Sequence, residues 1–180
     1  MSKSQISTAI FAASVLFPAS GVGAGTVPEG FTERYAEVNG VRLQYAIGGT
    51  GNPVVLLHGY TQTGHMWSPI MPLLAANHTV LVPDLRGAGG SSKPESGYSK
   101  KNLAVDIHEL VSSLGFNRAS VVGHDIGLMV AYAYAAQFPE ATERVVLMDA
   151  FLPGIGDWKN VWLMRISGIS TSTVKCPLRS

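Results

Sequence analysis

The sequence predicts an α/β architecture built on a mostly parallel sheet, on three observations. Continuous apolar runs alternate with segments of helical periodicity from Pro53 to Met148. His58-Gly59, Asp84, Asp125 and Asp149 fall at the carboxyl ends of successive predicted strands, where sheets of this kind place their ligands. The chain has 180 residues, 46% of them hydrophobic, enough to bury one core, so a single domain is the default.

The elements follow in order. Tyr35-Ala36-Glu37-Val38 and Val41 to Ile47 flank Asn39-Gly40, a pair that suits the tight turn of a hairpin. The chain therefore opens with antiparallel strands. After the loop Gly48 to Asn52, Pro53 to Leu57 is a continuous apolar run, the pattern of a strand covered on both faces. Ser68-Pro69 reads as a helix start with Pro at the first helical position, continued by Ile70 to Ala76. Thr79 to Val82 is the next strand. Ser99 can cap a helix whose apolar residues Leu103, Ile107, Leu110, Val111 and Leu114 share one face, with Gly115 ending it. Ala119 to Val122 reads as a strand, Ile126 to Phe138 as a helix closed by Pro139, and Arg144 to Met148 as a further strand. Parallel neighbours require right-handed crossovers, which puts helices on both faces.

The two ends read differently from this core, which is expected to span residues 25–165. Lys3, the mainly apolar stretch Ile6 to Phe17 and the small residues Val22-Gly23-Ala24 form the pattern of a secretory signal peptide over residues 1–24. Ser7, Thr8, Ser14 and Pro18 interrupt the apolar run, which falls short of the roughly 20 residues a spanning helix needs. Export with cleavage near Ala24, to the periplasm or the medium, is the expectation. Ile166 to Ser180 is Ser/Thr-rich without periodicity and reads as a divergent tail. Its Cys176 is the one cysteine of the chain, so no intrachain disulfide can form. A net charge of +1 with no Lys/Arg cluster gives no electrostatic reason to expect nucleic acid or an anionic membrane. Small, mostly neutral partners fit better, and neither a cofactor nor a metal is expected.

The chemistry centres on Gly123-His124-Asp125-Ile126-Gly127, where a β-branched run breaks into a helix. Glycines on both sides allow a tight turn, and the central side chain is pushed out above the sheet edge, where the helix start stabilises negative charge. Serine is the usual occupant of such a corner. A carboxylate there can attack an electrophilic sp3 carbon and form an ester that water later cleaves.

Leu56-Leu57-His58-Gly59-Tyr60, Asp84 to Ser92 and Gly123 to Gly127, each at a strand end, together resemble the α/β-hydrolase superfamily over about Arg34 to Arg165. Aspartate at the corner makes the chain similar to the epoxide hydrolase and haloalkane dehalogenase branch, particularly exported bacterial epoxide hydrolases. The resemblance implies an α/β-hydrolase fold with Asp125 as nucleophile. It makes the backbone N–H groups of Tyr60 and Ile126 oxyanion donors, has His58 and Gly59 position the first donor, and makes Asp149 the acid that orients a catalytic histidine. The implied partners are a small apolar electrophilic substrate and water.

His58 and His124 read as structural, and Asp84 as half of a loop-stabilising pair with Arg86. Haloalkane dehalogenases of the branch usually carry Trp after the nucleophile and often Asn after His-Gly. Ile126 and Tyr60 stand there instead and disfavour halide binding. The arginines with which fluoroacetate dehalogenases hold a carboxylate are absent at Ile126, Leu128 and Met129. Thr61, where many epoxide hydrolases have Pro, is a departure. The family's hydrolytic histidine and ring-opening acids come from later regions, whereas the five histidines here, His58, His65, His78, His108 and His124, all precede Asp125. The expectation is a core truncated before the cap and the last strands, with an apolar sheet edge. Such a chain would form the ester more readily than it cleaves it. The alternatives are a haloalkane dehalogenase-type hydrolase and a non-catalytic remnant that binds rather than turns over.

Overall fold

A computed structural model of the chain describes residues 27–149. The expected signal peptide, the stretch from Phe151 to Arg165 and the tail with Cys176 lie outside the described residues. The strands are β1 (Phe31–Val38), β2 (Val41–Gly48), β3 (Pro53–Leu57), β4 (Thr79–Pro83), β5 (Ala119–His124) and β6 (Thr142–Met148). The helices are α1 (Met71–Ala75), α2 (Lys100–Ser113) and α3 (Ile126–Gln137). No helix among the described residues is long and apolar enough to cross a membrane.

The hairpin forms where Asn39-Gly40 predicts it. Their φ angles of 45° and 72° are the left-handed pair that a two-residue turn between twisted strands requires. The sheet runs β1-β2-β4-β3-β5-β6. β1 and β2 are antiparallel to their neighbours, and the other four strands are mutually parallel. Every residue of β3 and β4 is buried, as their unbroken apolar sequences require.

Side-chain alternation divides the core into two layers. Val55, Leu57, Leu81 and Val121 face α2 and α3, whereas Val54, Leu56, Val80 and Val82 face Trp67 and Met71 on the opposite side. Burying Leu103, Ile107, Leu110 and Val111 along one stripe fastens α2 to the sheet, and its first turn is capped by Ser99 Oγ, which accepts the Asn102 N–H at 3.2 Å.

One helix start differs from the expectation. Gly64–Trp67 forms a 3₁₀ turn, Ser68 donates its N–H to His65 O, and α1 begins only at Met71, with Pro72 in its first turn. The reason is the second proline. In a helix beginning at Pro69, Pro72 would occupy a position whose N–H must bond the previous turn, and it has none.

The Asp84–Arg86 pair is also corrected. Asp84 instead accepts the backbone N–H groups of Gly64 and Gly90 at 2.8 and 2.9 Å. Arg86 reaches α2, where its Nε and Nη2 donate to the two carboxylate oxygens of Asp106 at 2.9 and 2.6 Å. Asp106 is fully buried and also accepts from Asn39 Nδ2 at 2.6 Å, while Arg86 Nη2 donates to Asn39 O at 3.2 Å. One carboxylate thus joins the hairpin turn, the loop after β4 and the buried face of α2.

β6 is the edge of the sheet, and among the described residues no strand pairs with its outer side. Val145, Val146, Leu147 and Met148 are 38–48% exposed, in line with the expected apolar edge.

Removing the Asp106 carboxylate leaves a buried guanidinium without its counter-charge, so Asp106→Ala should lower stability by about 3–5 kcal/mol. Urea denaturation measures this. A loss under about 1 kcal/mol would show that the pair contributes little to holding these elements together.

Candidate active site

Parallel pairing brings the two motif-bearing loops together. Leu57 of β3 is in register with Gly123 of β5, so the residues that follow each strand emerge side by side. At the corner Asp125 adopts φ 50° and ψ −118°, a conformation that costs of order 1–3 kcal/mol for a residue with a Cβ. Its surroundings impose it. A Cβ at Gly123 would run into the backbone of Gly127 and Leu128, and one at Gly127 would lie 2.5 Å from Leu57 O. A Cβ at Gly59 would lie 3.0 Å from the Cβ of Asp125 and 2.9 Å from His124 Nδ1. The backbone leaves no room for a Cβ at either glycine of the corner, and a Cβ at Gly59 of the facing loop would crowd the side chains of Gln62, His124 and Asp125.

Asp125 is fixed at three points. Its N–H donates to Met148 O at 3.0 Å, its carbonyl accepts the Leu128 N–H at 3.0 Å, and its Oδ2 accepts the Tyr60 N–H at 2.9 Å. Ile126 is the first residue of α3, so its N–H has no carbonyl partner within the helix. Tyr60 offers its backbone to Asp125 while its side chain is largely exposed.

His58 is buried and bridges two loops. Its Nε2 accepts the Leu85 N–H at 2.9 Å, and its Nδ1 is 2.9 Å from Gly59 O. The backbone amide can only donate, so Nε2 carries no proton and Nδ1–H donates to Gly59. Burial lowers the pKa of this imidazole, with the Gly59 carbonyl and Asp84 opposing the shift. The neutral ring therefore clasps the loop that carries Tyr60 to the loop after β4.

Asp149 directly follows β6, with an exposed carboxylate whose Oδ2 lies 3.5 Å from His124 Nε2. The histidine beside Asp149 is thus the residue preceding Asp125, which the sequence marks as structural.

A cavity of about 440 Å³ opens beside the corner, bounded by Tyr60, Leu85, Tyr98, Lys100, Leu103 and Ile126. A second cavity of similar volume, lined by Glu33, Gln44, His65 and Asp84 among others, includes neither Tyr60 nor Ile126, and Asp125 itself lines neither cavity. Sequence reasoning missed two contributors, Asp106 and Lys100. The first was visible as a carboxylate on the apolar stripe of α2. The second was visible as a lysine at the start of a helix with no acid in its first turn, where the helix dipole disfavours a cation.

The clasp has a pH signature. A histidine with a depressed folded pKa stabilises fully above its ordinary value of 6.5, and that stability is lost as pH falls from there through the lowered folded value. His58→Gln keeps a donor and an acceptor but does not titrate. Wild type should therefore lose more stability than the variant between pH 7.5 and 5.5, by up to about 1 kcal/mol. Equal losses in urea titrations at the two pH values would contradict the clasp.

Comparison with known proteins bears on the fold. The model of the alpha/beta hydrolase fold family matches residues 52–173. A soluble epoxide hydrolase from Corynebacterium sp. (strain C12) is 43% identical over 124 residues, covering 69% of this chain and 43% of the relative. A fluoroacetate dehalogenase from Burkholderia sp. is 40% identical over 126 residues, covering 67% and 41%. The solved structure of the epoxide hydrolase CorEH without ligand superposes with a TM-score of 0.69 at 39% identity, covering 76% of this chain and 50% of that one. The chain spans less than half the length of the two sequence relatives. A strained aspartate corner at the end of a parallel strand and a family match over most of the described core lead to one assignment: the chain belongs to the α/β-hydrolase family.

Proposed function

We propose that this chain carries the nucleophilic part of an epoxide hydrolase-type active site, with Asp125 as the attacking group. The observation that carries the reading is the 2.9 Å hydrogen bond from Tyr60 N–H to Asp125 Oδ2. It divides the labour between the two carboxylate oxygens. Oδ1 forms the bond to a ring carbon of the epoxide as the ring C–O bond breaks, and the released oxygen takes a proton from water. Oδ2 then remains as the ester carbonyl, with a preorganised donor already on it. When water adds to that carbonyl, negative charge develops on Oδ2, and the N–H groups of Tyr60 and Ile126 stabilise it. Collapse releases the diol and restores the carboxylate. His58 and Gly59 act in this scheme by positioning Tyr60, and Asp149 would orient a water-activating histidine that is not among the five histidines of these 180 residues.

Similarity to the Corynebacterium epoxide hydrolase supports this reading. Similarity to the Burkholderia fluoroacetate dehalogenase favours a second one, displacement of a halide by the same carboxylate. Ile126 and Tyr60, which present no Trp or Asn to a leaving halide, weigh toward the epoxide.

The chain should be incubated with phenyloxirane and weighed intact. One added epoxide mass, mapped to Asp125 and reduced at least about a hundredfold in Asp125→Ala, is the expected result. Folded protein that stays unlabelled, or labels equally in the variant, would sink the proposal. Fluoride released from fluoroacetate without epoxide labelling would favour the second reading.

We also propose export, on the pattern of residues 1–24. The mature protein recovered from a bacterial periplasm or medium should begin at or near Gly25. An intact Met1 to Ala24 on exported protein, or retention in the cytoplasm, would overturn this.

A further inference from the structure

We propose that the cavity lined by Tyr60 and Ile126, next to the Asp125 corner, selects epoxides that bear a carboxylate, and that Lys100 is the side chain that receives it. The inference rests on Asp125 being the nucleophile and adds the chemical class of its substrate.

The charges around the cavity single out Lys100. Arg86 also borders it, but its guanidinium is spent on the two-point contact with buried Asp106. His58 is neutral, because its Nε2 accepts from Leu85. Lys100 is half-buried in the wall and, among the described residues, forms no ion pair. It is therefore the cation of this cavity whose charge no contact neutralises. Its surroundings strengthen the field it exerts. Burial depresses its pKa, with the charge of Asp125 opposing the shift, so the ammonium is partly withdrawn from water.

The rest of the wall is apolar. Leu85, Leu103 and Ile126, with the ring of Tyr98, would accept a hydrocarbon body. A ligand suited to this cavity has an apolar body, an electrophilic carbon presented to Asp125 and an anionic end presented to Lys100. Without Lys100 an anionic substrate would meet only repulsion from Asp125, and with it the two fields oppose. The position of Lys100 in sequence points the same way. A cation at the head of α2, with no acid in the first turn, runs against the helix dipole and is stabilised when an anion docks beside it. The sequence led to an apolar electrophile, and the structure adds the charged end.

In the reaction, an Asp125 oxygen bonds to a ring carbon as the C–O bond opens, the ring oxygen takes a proton from water, and the substrate carboxylate is unchanged. Two reagents of nearly equal shape test this, 3-phenyloxirane-2-carboxylate and its carboxamide, each applied to the full chain. The labelling rate at Asp125 is read by intact mass and divided by the rate of the same reagent with free acetate.

Wild type should favour the carboxylate by about tenfold. The ratio should fall to about one in Lys100→Met, drop below one in Lys100→Glu, and be retained in Lys100→Arg and in Lys101→Met, which changes the neighbouring exposed lysine. A wild-type ratio near or below one, or a preference that survives Lys100→Glu, overturns the role of Lys100 and leaves the nucleophile intact. Folded wild type that neither reagent labels overturns the nucleophile reading itself.

Discussion

The structure depends on how closely the loop after β3 approaches the corner after β5. Parallel register places Leu57 opposite Gly123, and from there the two chains must turn outward within a few ångströms of each other. Side chains at Gly59, Gly123 or Gly127 would occupy space already filled by backbone or by Asp125. Bare positions at Gly123 and Gly127, with the crowded one at Gly59, let Tyr60 N–H reach Asp125 Oδ2. The unfavourable φ of Asp125 belongs to the same constraint, because the corner has no room to relax toward an ordinary conformation. The strain is offset by the two-layer core around β3, β4 and β5, whose close packing holds the strand ends in place.

The walls of the site are fixed by polar contacts of a different kind. Leu85 and Arg86, adjacent in the loop after β4, are held from opposite directions. The first donates its N–H to the His58 ring, and the second extends its guanidinium to Asp106 on α2. The loop is thus tied both to the segment that carries Tyr60 and to the helix that begins with Lys100. Each tie is buried, which removes competition from water and makes its geometry exacting. A displaced α2 would carry Lys100 with it, and a protonated His58 would set an N–H against the N–H of Leu85. The position of the cation and the position of the oxyanion donor are therefore set by the same short loop.

Most of the fold was legible because its determinants are local. Asn39-Gly40 permits one kind of turn, the apolar run Pro53 to Leu57 permits one kind of strand, and Ser99 with the Leu103 stripe defines α2. The start of α1 was misread because Ser68-Pro69 satisfies the start rule by itself, and the competing demand of Pro72 appears only when both prolines are placed on one helix. The aspartate corner was legible as a motif. The partner of Arg86 was not. Asp84 is its neighbour in sequence, but its carboxylate is taken by the backbone of Gly64 and Gly90, and Asp106 becomes the partner through packing of α2 that no spacing rule encodes. The unfavourable charge at the head of α2 marked Lys100, but its place in the cavity wall did not show, since the cavity is assembled from loops after β3 and β4 and the heads of α2 and α3.

β6 carries the remaining tension. Val145-Val146-Leu147-Met148 is the kind of sequence found in strands flanked on both sides, yet here it lies at the sheet edge with its apolar side chains partly in water. The stretch matched in the two sequence relatives is less than half of their own length. The edge bears on the chemistry because the N–H of Asp125 donates to Met148 O, and Asp149 follows immediately. Any fraying of β6 would free that amide and loosen the corner from the side opposite Tyr60. The strained φ of Asp125 would then have room to relax, and Oδ2 would leave its donor. The seam between β3 and β5 creates the geometry of the carboxylate, and the order of β6 determines how firmly that geometry is kept.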